Sequence, residues 1–281
     1  MINGCFAAMG TTVEVFAATE RGLHVTREHF VGLERRFSRF LEHSELTQIN
    51  RAPEEQVDVS MPMATVLAAA KEMQLLTGGL VDPAAGAAVA NWGYDRSFEL
   101  VLDQIEAPTD LSCGEWAIDN GRLCRQPGVA LDLGGIVKGW AADQAIEREL
   151  AVLVSAGGDV RSAVKDAEVA ISDNWNREPV TVTLGTGGLA TSAVSKRRWL
   201  AAGHDVHHII DPRTLAPAES PVVSATAVCP SAVEAEAAAK TVILQGEHGL
   251  AWADNQPWVD AAMVTWHDGS IYSTRGWEFA A

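Results

Sequence analysis

Val222-Val-Ser-Ala-Thr-Ala-Val-Cys229 runs into Pro230-Ser231-Ala-Val-Glu234, and the two stretches call for different elements. The first is rich in apolar and β-branched residues and reads as a strand. In the second, Ser231 and Glu234 form a Ser-x-x-Glu capping box, which opens a helix that must end before Gly246. Downstream, Asp268-Gly269 reads as a hairpin turn between strands over Ala261 to Trp266 and Ser270 to Thr274. Upstream, Thr11 to Phe16 alternates like a half-buried strand, and Glu20 to Phe37 has apolar positions at helical spacing. Ser60 is placed to cap a helix through Ala64 to Leu76 that stops at Gly78-Gly79. Lys138 to Leu150 reads as an amphipathic helix. Phe98 to Leu102, Val129 to Leu133, Ala167 to Ser172, Val180 to Leu184 and His207 to Ile210 complete the strand candidates. Strands outnumber helices and many neighbours read as antiparallel, so the expected class is α+β, as one unit over residues 1–281.

Composition removes several function classes. The chain has 281 residues, 47% hydrophobic and 21% charged, which is ordinary for a globular protein and excludes disorder or fibre. No stretch approaches the ~20 apolar residues of a membrane span. A net charge of −16 repels a phosphate backbone, so no nucleic-acid partner is expected, and a membrane-surface role is disfavoured on the same ground. Cys5, Cys113, Cys124 and Cys229 form no C-x-x-C pair, which argues against zinc and against a disulfide framework. Met1-Ile-Asn-Gly-Cys5 lacks the pattern of a secretory signal, and the expected location is the cytoplasm.

Four segments that combine polar residues with glycine or proline stand out. They are Val81-Asp82-Pro83 with Gly86 and Asn91-Trp92-Gly93-Tyr94; Leu131-Asp132-Leu-Gly134-Gly135-Ile-Val-Lys138-Gly139; Ser155-Ala-Gly157-Gly158-Asp159; and His207-His208-Ile-Ile-Asp211-Pro212-Arg213-Thr214. The second aims backbone N–H groups and one Lys at whatever lies above a helix start. Singly each is weak, because glycine pairs and Asp-Pro steps usually mark turns. A histidine in an apolar strand is more often a satisfied core residue than a catalyst. Neither G-x-G-x-x-G nor G-x-x-x-x-G-K-[ST] occurs, which disfavours Rossmann and P-loop enzymes.

Taken in order, with Met9-Gly10-Thr11 and Ser38-Arg-Phe40, Ser44-Glu45 and Asn50 ahead of them, these segments resemble the ApbE family of FAD:protein FMN transferases. The resemblance runs from about Met9 to the C-terminal hairpin. It implies duplicated antiparallel T-fold-like units with a flavin slot between them. The implied reaction moves FMN from FAD to a Thr hydroxyl of a partner protein and releases AMP. The resemblance places Met9, Phe40, Val81, Asp82, Asp132, Lys138 and Ile209 at FAD-contacting positions. Phe40 keeps the stacking surface of a family tyrosine without its hydroxyl. His208 falls on the active-site histidine, a general base for the acceptor Thr, with Asp211 to orient it or to build the loop. His207 is the neighbouring alternative; in a strand the two rings point to opposite faces, so only one can face the slot.

Two departures accompany the match. Leu215 stands where the family has a glycine, so the turn there is expected to differ. The resemblance also implies a magnesium ion held by Gly135 and by the positions of Glu236 and Lys240. Lys240 replaces a Thr ligand, which stands against the metal, and its ammonium could instead face the FAD phosphates. Two other activities therefore stay open: FAD binding without transfer, and FAD pyrophosphatase chemistry giving FMN and AMP.

Overall fold

The computed structural model describes residues 1–101, 106, 108, 111, 113–172 and 179–277. Their contacts divide the chain into two compact units. The first holds Met1–Gly32, Lys138–Ser195 and Glu219–Ala281; the second holds Leu33–Val137 and Lys196–Ala218.

The first unit is built on an eight-stranded antiparallel sheet whose spatial order follows the chain. Its strands are Ile2–Ala8, Thr11–Ala17, Leu153–Ala156, Asp159–Ser162, Gly187–Ala193, Val222–Cys229, Ala261–Trp266 and Ile271–Ser273. Period-2 alternation splits each inner strand between two buried faces. Leu189, Val160, Ala261 and Met263 pack with Ile171, Val182, Leu184 and Trp277 on one face. Ala190, Ala227 and Cys229 face Ala235, Ala238 and Ala239 of the Ala232–Gln245 helix on the other. Those small side chains let the helix approach closely. A Cβ on Gly188 would stand 2.2 Å from the Ser231 carbonyl, so only glycine fits there. The Ser231 N-cap forms as read: its Oγ accepts from the Glu234 N–H at 3.2 Å, and its hydroxyl donates to the Glu234 carboxylate at 2.7 Å.

The second unit carries a three-stranded antiparallel sheet in the order Gln56–Asp58, Arg122–Arg125, Trp116–Asp119. Two short ladders, Arg198–Ala201 with His204–His207 and Ile210–Asp211 with Ala216–Pro217, lie in the same unit. Ser60 caps the Met61–Leu76 helix as its sequence signals require. Among the described residues no helix is long and apolar enough to cross a membrane. The expected mixture of helices with a large antiparallel sheet is what the chain adopts.

Three strand expectations need correction. Val129 to Leu133 joins no ladder, because its polar backbone groups are satisfied otherwise. Asn50 brackets Leu131, donating to its carbonyl and accepting from its N–H, both at 2.8 Å, and the Asp132 N–H donates to the Pro83 carbonyl. Phe98–Leu100 is a 3-10 turn, with Phe98 edge-on to Tyr94 in an aromatic cluster rather than in a sheet; Leu102 lies outside the described residues. His207 to Ile210 is not one strand. The ladder stops at His207, whose ring Nδ1 accepts from the Ile209 N–H at 3.3 Å, so that this amide turns back to a side chain.

Candidate functional site

In the first unit, the Ala232–Gln245 helix begins over a carboxylate from another helix. Asp143 accepts from the N–H groups of Ala232 at 2.8 Å and Val233 at 3.1 Å, satisfying two orphan donors at a helix N-terminus. One turn further along, Glu236 is buried among charges. Lys138 Nζ lies 3.2 Å from Glu236 Oε1 and 2.8 Å from Asp159 Oδ2, and Lys240 Nζ lies 3.1 Å from the same Glu236 oxygen. Burial works to raise the Glu236 carboxyl, but the charges of Lys138 and Lys240 outweigh it and hold the group below the usual carboxylate range. Asp159 is pushed up by burial and then by the Glu236 charge, against the pull of Lys138.

This donor set does not fit a magnesium ion. Magnesium takes near-octahedral oxygen ligands at about 2.0–2.1 Å. Glu236 Oε1 already accepts from two ammonium groups, which leaves only its buried Oε2 open, and an ammonium offers donors and no ligand atom. Among the described residues, no group of three or more His, Cys, Asp or Glu side chains is placed to hold a metal ion. Met9 belongs to this unit too. It is half-buried at the turn between the first two strands, with a left-handed φ of 54°.

In the second unit, Asp132 accepts from Arg39 Nε at 2.9 Å and from the Gly134 N–H at 2.7 Å. The Arg39 guanidinium lies over the rings of Phe40 and Tyr94, 4.2 and 4.9 Å from their centroids. Phe40 and Tyr94 pack together, and Tyr94 packs in turn on Trp199, giving an aromatic cluster in which Tyr94 and Trp199 are buried and Phe40 is half-buried, with a fixed cation on it. The backbone passes very near Gly86, where a Cβ would stand 2.6 Å from the Asp132 nitrogen, so this glycine permits the close approach. Gly135 is half-buried in the turn that enters the Val137–Glu147 helix. Val81 is buried. Asp82 Oδ1 accepts from the Ala84 N–H at 2.9 Å and from the indole of buried Trp116 at 3.0 Å. Asp82 therefore has a turn to hold, whatever else it meets.

The two histidines part company. His207 is buried, with Nε2 3.1 Å from the Ala218 carbonyl and Nδ1 accepting from Ile209, so both ring nitrogens serve the backbone. That geometry leaves it no free nitrogen to act as a base. His208 is half-buried in the bend that follows, with Ile209 buried beside it. The bonds described for the Asp211 carboxylate go to Arg213: its backbone N–H at 2.8 Å and its guanidinium at 2.7 to 3.1 Å. Of the two roles left open for Asp211, these bonds serve the loop. Leu215 takes φ of +57°, a left-handed conformation that favours glycine.

A family model matches residues 9–263 and is described as the ApbE family. This chain belongs to the ApbE family. Among curated relatives, the FAD:protein FMN transferase of Rhodobacter capsulatus is 29% identical over 304 aligned positions, covering 97% of this chain and 57% of that protein. The enzyme of the same name from Treponema pallidum is 30% identical, covering 67% of this chain and 61% of that protein. This ApbE-family chain thus spans less than two thirds of the length of those relatives. Of solved structures, the ApbE protein of Thermotoga maritima shares the fold with a TM-score of 0.85 at 24% identity, covering 98% of this chain and 97% of that one. The flavin transferase ApbE from Vibrio cholerae gives 0.81 at 23% identity over the same shares.

Trp199 and Asp143 lie in no quoted motif, and two further residues of the charged and aromatic groupings sat unremarked inside quoted ones. Arg39 sits inside the quoted Ser-Arg-Phe, and Asp159 closes the quoted Ser-Ala-Gly-Gly-Asp. The available signal was a charged residue within a segment chosen for its aromatic or its glycines.

Proposed function

We propose that this chain, acting over residues 1–281 as one functional domain, is an FAD:protein FMN transferase. The observation that carries the reading is ApbE-family membership over residues 9–263, with relatives that bear that name. In the proposed reaction a Thr hydroxyl of an acceptor protein attacks the FMN phosphorus of FAD. The new Thr Oγ–P bond forms as the pyrophosphate P–O bond breaks, and AMP leaves with the bonding pair. His208 takes the Thr proton. The stacked Phe40, the carboxylates of Asp82 and Asp132, and apolar Met9, Val81 and Ile209 line the FAD, and Lys138 and Lys240 face its phosphates. Asp211 shapes the loop beside His208 through Arg213, and so acts as a positioning residue. The residues at the position of Glu236 and Lys240 are wrong for magnesium, so no step is assigned to a metal.

The test is incubation of the purified chain with FAD and a protein presenting an acceptor Thr, with and without magnesium, read by intact mass. Gain of FMN on the acceptor with stoichiometric AMP supports the proposal. His208→Ala should lower transfer by roughly 10²-fold or more while FAD binding persists. FAD that binds and stays intact would point to the second reading, binding without transfer, which the Lys240–Glu236 pair favours. AMP release without any acceptor would mark a pyrophosphatase.

A further inference from the structure

We infer that Lys240 is a resident cation: its ammonium, tethered by Glu236, stands in for a divalent metal toward the phosphates of FAD, so that binding needs no added ion. The inference rests on the FAD reading above and specifies how its phosphates are met. Glu236 lies one turn before Lys240 on the same helix, with Glu on the N-terminal side, the favoured order for such a pair. A solvated surface pair would leave the carboxylate in water, yet the Glu236 side chain is only 5% exposed. The same Oε1 also accepts from Lys138, itself paired with buried Asp159, so two ammonium groups hold the carboxylate at once. A carboxylate in such a place has to be matched by positive charge. Two ammonium groups supply it.

Lys240 differs from Lys138 in what it has left over. Its side chain is 21% exposed, and the bond described for it uses one of three N–H donors, on Glu236. Two donors therefore remain at the edge of a buried, rigid cluster. A phosphate oxygen can accept from them in a charge-assisted bond without first stripping water from a metal. A bound magnesium would have to share Glu236 with the ammonium already there, at a cost in repulsion that the phosphate does not meet.

The experiment is an FAD titration of the full chain, followed by flavin fluorescence and calorimetry, in chelator and in excess magnesium chloride. The expected dissociation constants agree within about twofold, and Lys240→Met weakens FAD by at least about tenfold. Lys240→Arg, which retains the charge, should keep most of the affinity and the wild-type melting temperature. The double change Glu236→Asp with Lys240→Thr should make binding respond to magnesium. A tenfold or greater tightening of wild-type binding by magnesium overturns the resident cation and leaves the transferase reading standing. So does a folded Lys240→Met that binds FAD as wild type does. Failure of the wild type to bind FAD in either condition is a different result, and it removes the FAD reading together with this inference. The two wild-type arms decide the matter even if Lys240→Met does not fold.

Discussion

Replacing His207 by Gln should remove much of the acid sensitivity of the fold, and the size of the effect follows from two backbone contacts. The Nδ1 atom accepts from the Ile209 N–H, which fixes the proton on Nε2, where it meets the Ala218 carbonyl. Protonation would set a second ring N–H against the Ile209 N–H inside the protein. Burial first, and the Arg198 charge after it, lower the group from 6.5 to about 4, against the raising pull of the Ala218 carbonyl. The folded value lies below the unfolded one, so the associated stability is complete above the unfolded value and is lost as pH falls toward the folded one. The loss amounts to about 2 kcal/mol at about pH 5 and about 3 kcal/mol at about pH 4. Urea unfolding of wild type and His207→Gln, followed by tryptophan fluorescence from about pH 7.5 down to about pH 4, isolates this group in the difference between the two curves. Near neutrality the variant should be less stable by about 1–2 kcal/mol, since the buried Ile209 N–H loses its acceptor. Near pH 4 the order should reverse. A difference that stays constant across the range would refute the assigned tautomer and the buried neutral ring.

Leu215→Gly should be at least as stable as Leu215→Ala, the reverse of an ordinary site. The left-handed φ costs an alanine about 1–2 kcal/mol, against roughly 0.5–1 kcal/mol for the extra freedom of an unfolded glycine, and urea midpoints of the two variants check this. Asp82→Ala should cost about 1–3 kcal/mol of folding stability, because the Trp116 indole and the Ala84 N–H lose their acceptor; unchanged thermal unfolding with a weaker FAD constant would instead make Asp82 purely a ligand contact. Asp143→Ala should cost about 2–4 kcal/mol, since it uncaps two buried amides at the start of the Ala232–Gln245 helix. Asp143→Asn should recover part of that loss, and equal melting temperatures for all three proteins would count against the cap.

Elements with their own punctuation were legible in the chain. The capping box at Ser231, the Ser60 cap before Met61 and the Asp268-Gly269 turn each state a boundary locally, and the structure keeps them. The Glu20–Phe37 helix was readable from period alone. What failed was extended chain whose hydrogen bonds go to something distant in sequence. Leu131 looks like strand, but its partner is the Asn50 side chain, 81 residues earlier, and no local pattern reports that. The Ile2–Ala8 strand is hard to read locally because Gly4 takes an inward position and Cys5 an exposed one, though it pairs along its length with Thr11–Ala17. The site shows the same division. Residue types at Asp132, Lys138 and His208 could be read from motifs, whereas the split between the histidines depends on where Ala218 places its carbonyl.

The charged cluster of the first unit owes its geometry to residues that carry no chemistry. The Val137–Glu147 helix meets the start of Ala232–Gln245 through three of its residues. A Cβ on Gly139 would lie 2.9 Å from the Ala232 carbonyl carbon, so glycine brings the two backbones into contact. Asp143, four residues on and hence on the same helical face, closes that contact by accepting the Ala232 and Val233 amides. On the other partner, Gly188 lets the Ser231 carbonyl rest on the sheet. With the helix start clamped from both sides, Glu236 has no freedom to choose its partner. It falls beside Lys138, which directly precedes Gly139, and one turn later Lys240 falls beside Glu236. A buried ion pair repays its desolvation only when its geometry is well fixed. Here the fixing comes from two glycines and a helix cap. The cationic edge presented by Lys240 is in this sense a property of backbone packing, set before any ligand arrives, and a chain with so acidic a surface can keep it only because the surrounding charges are held in place.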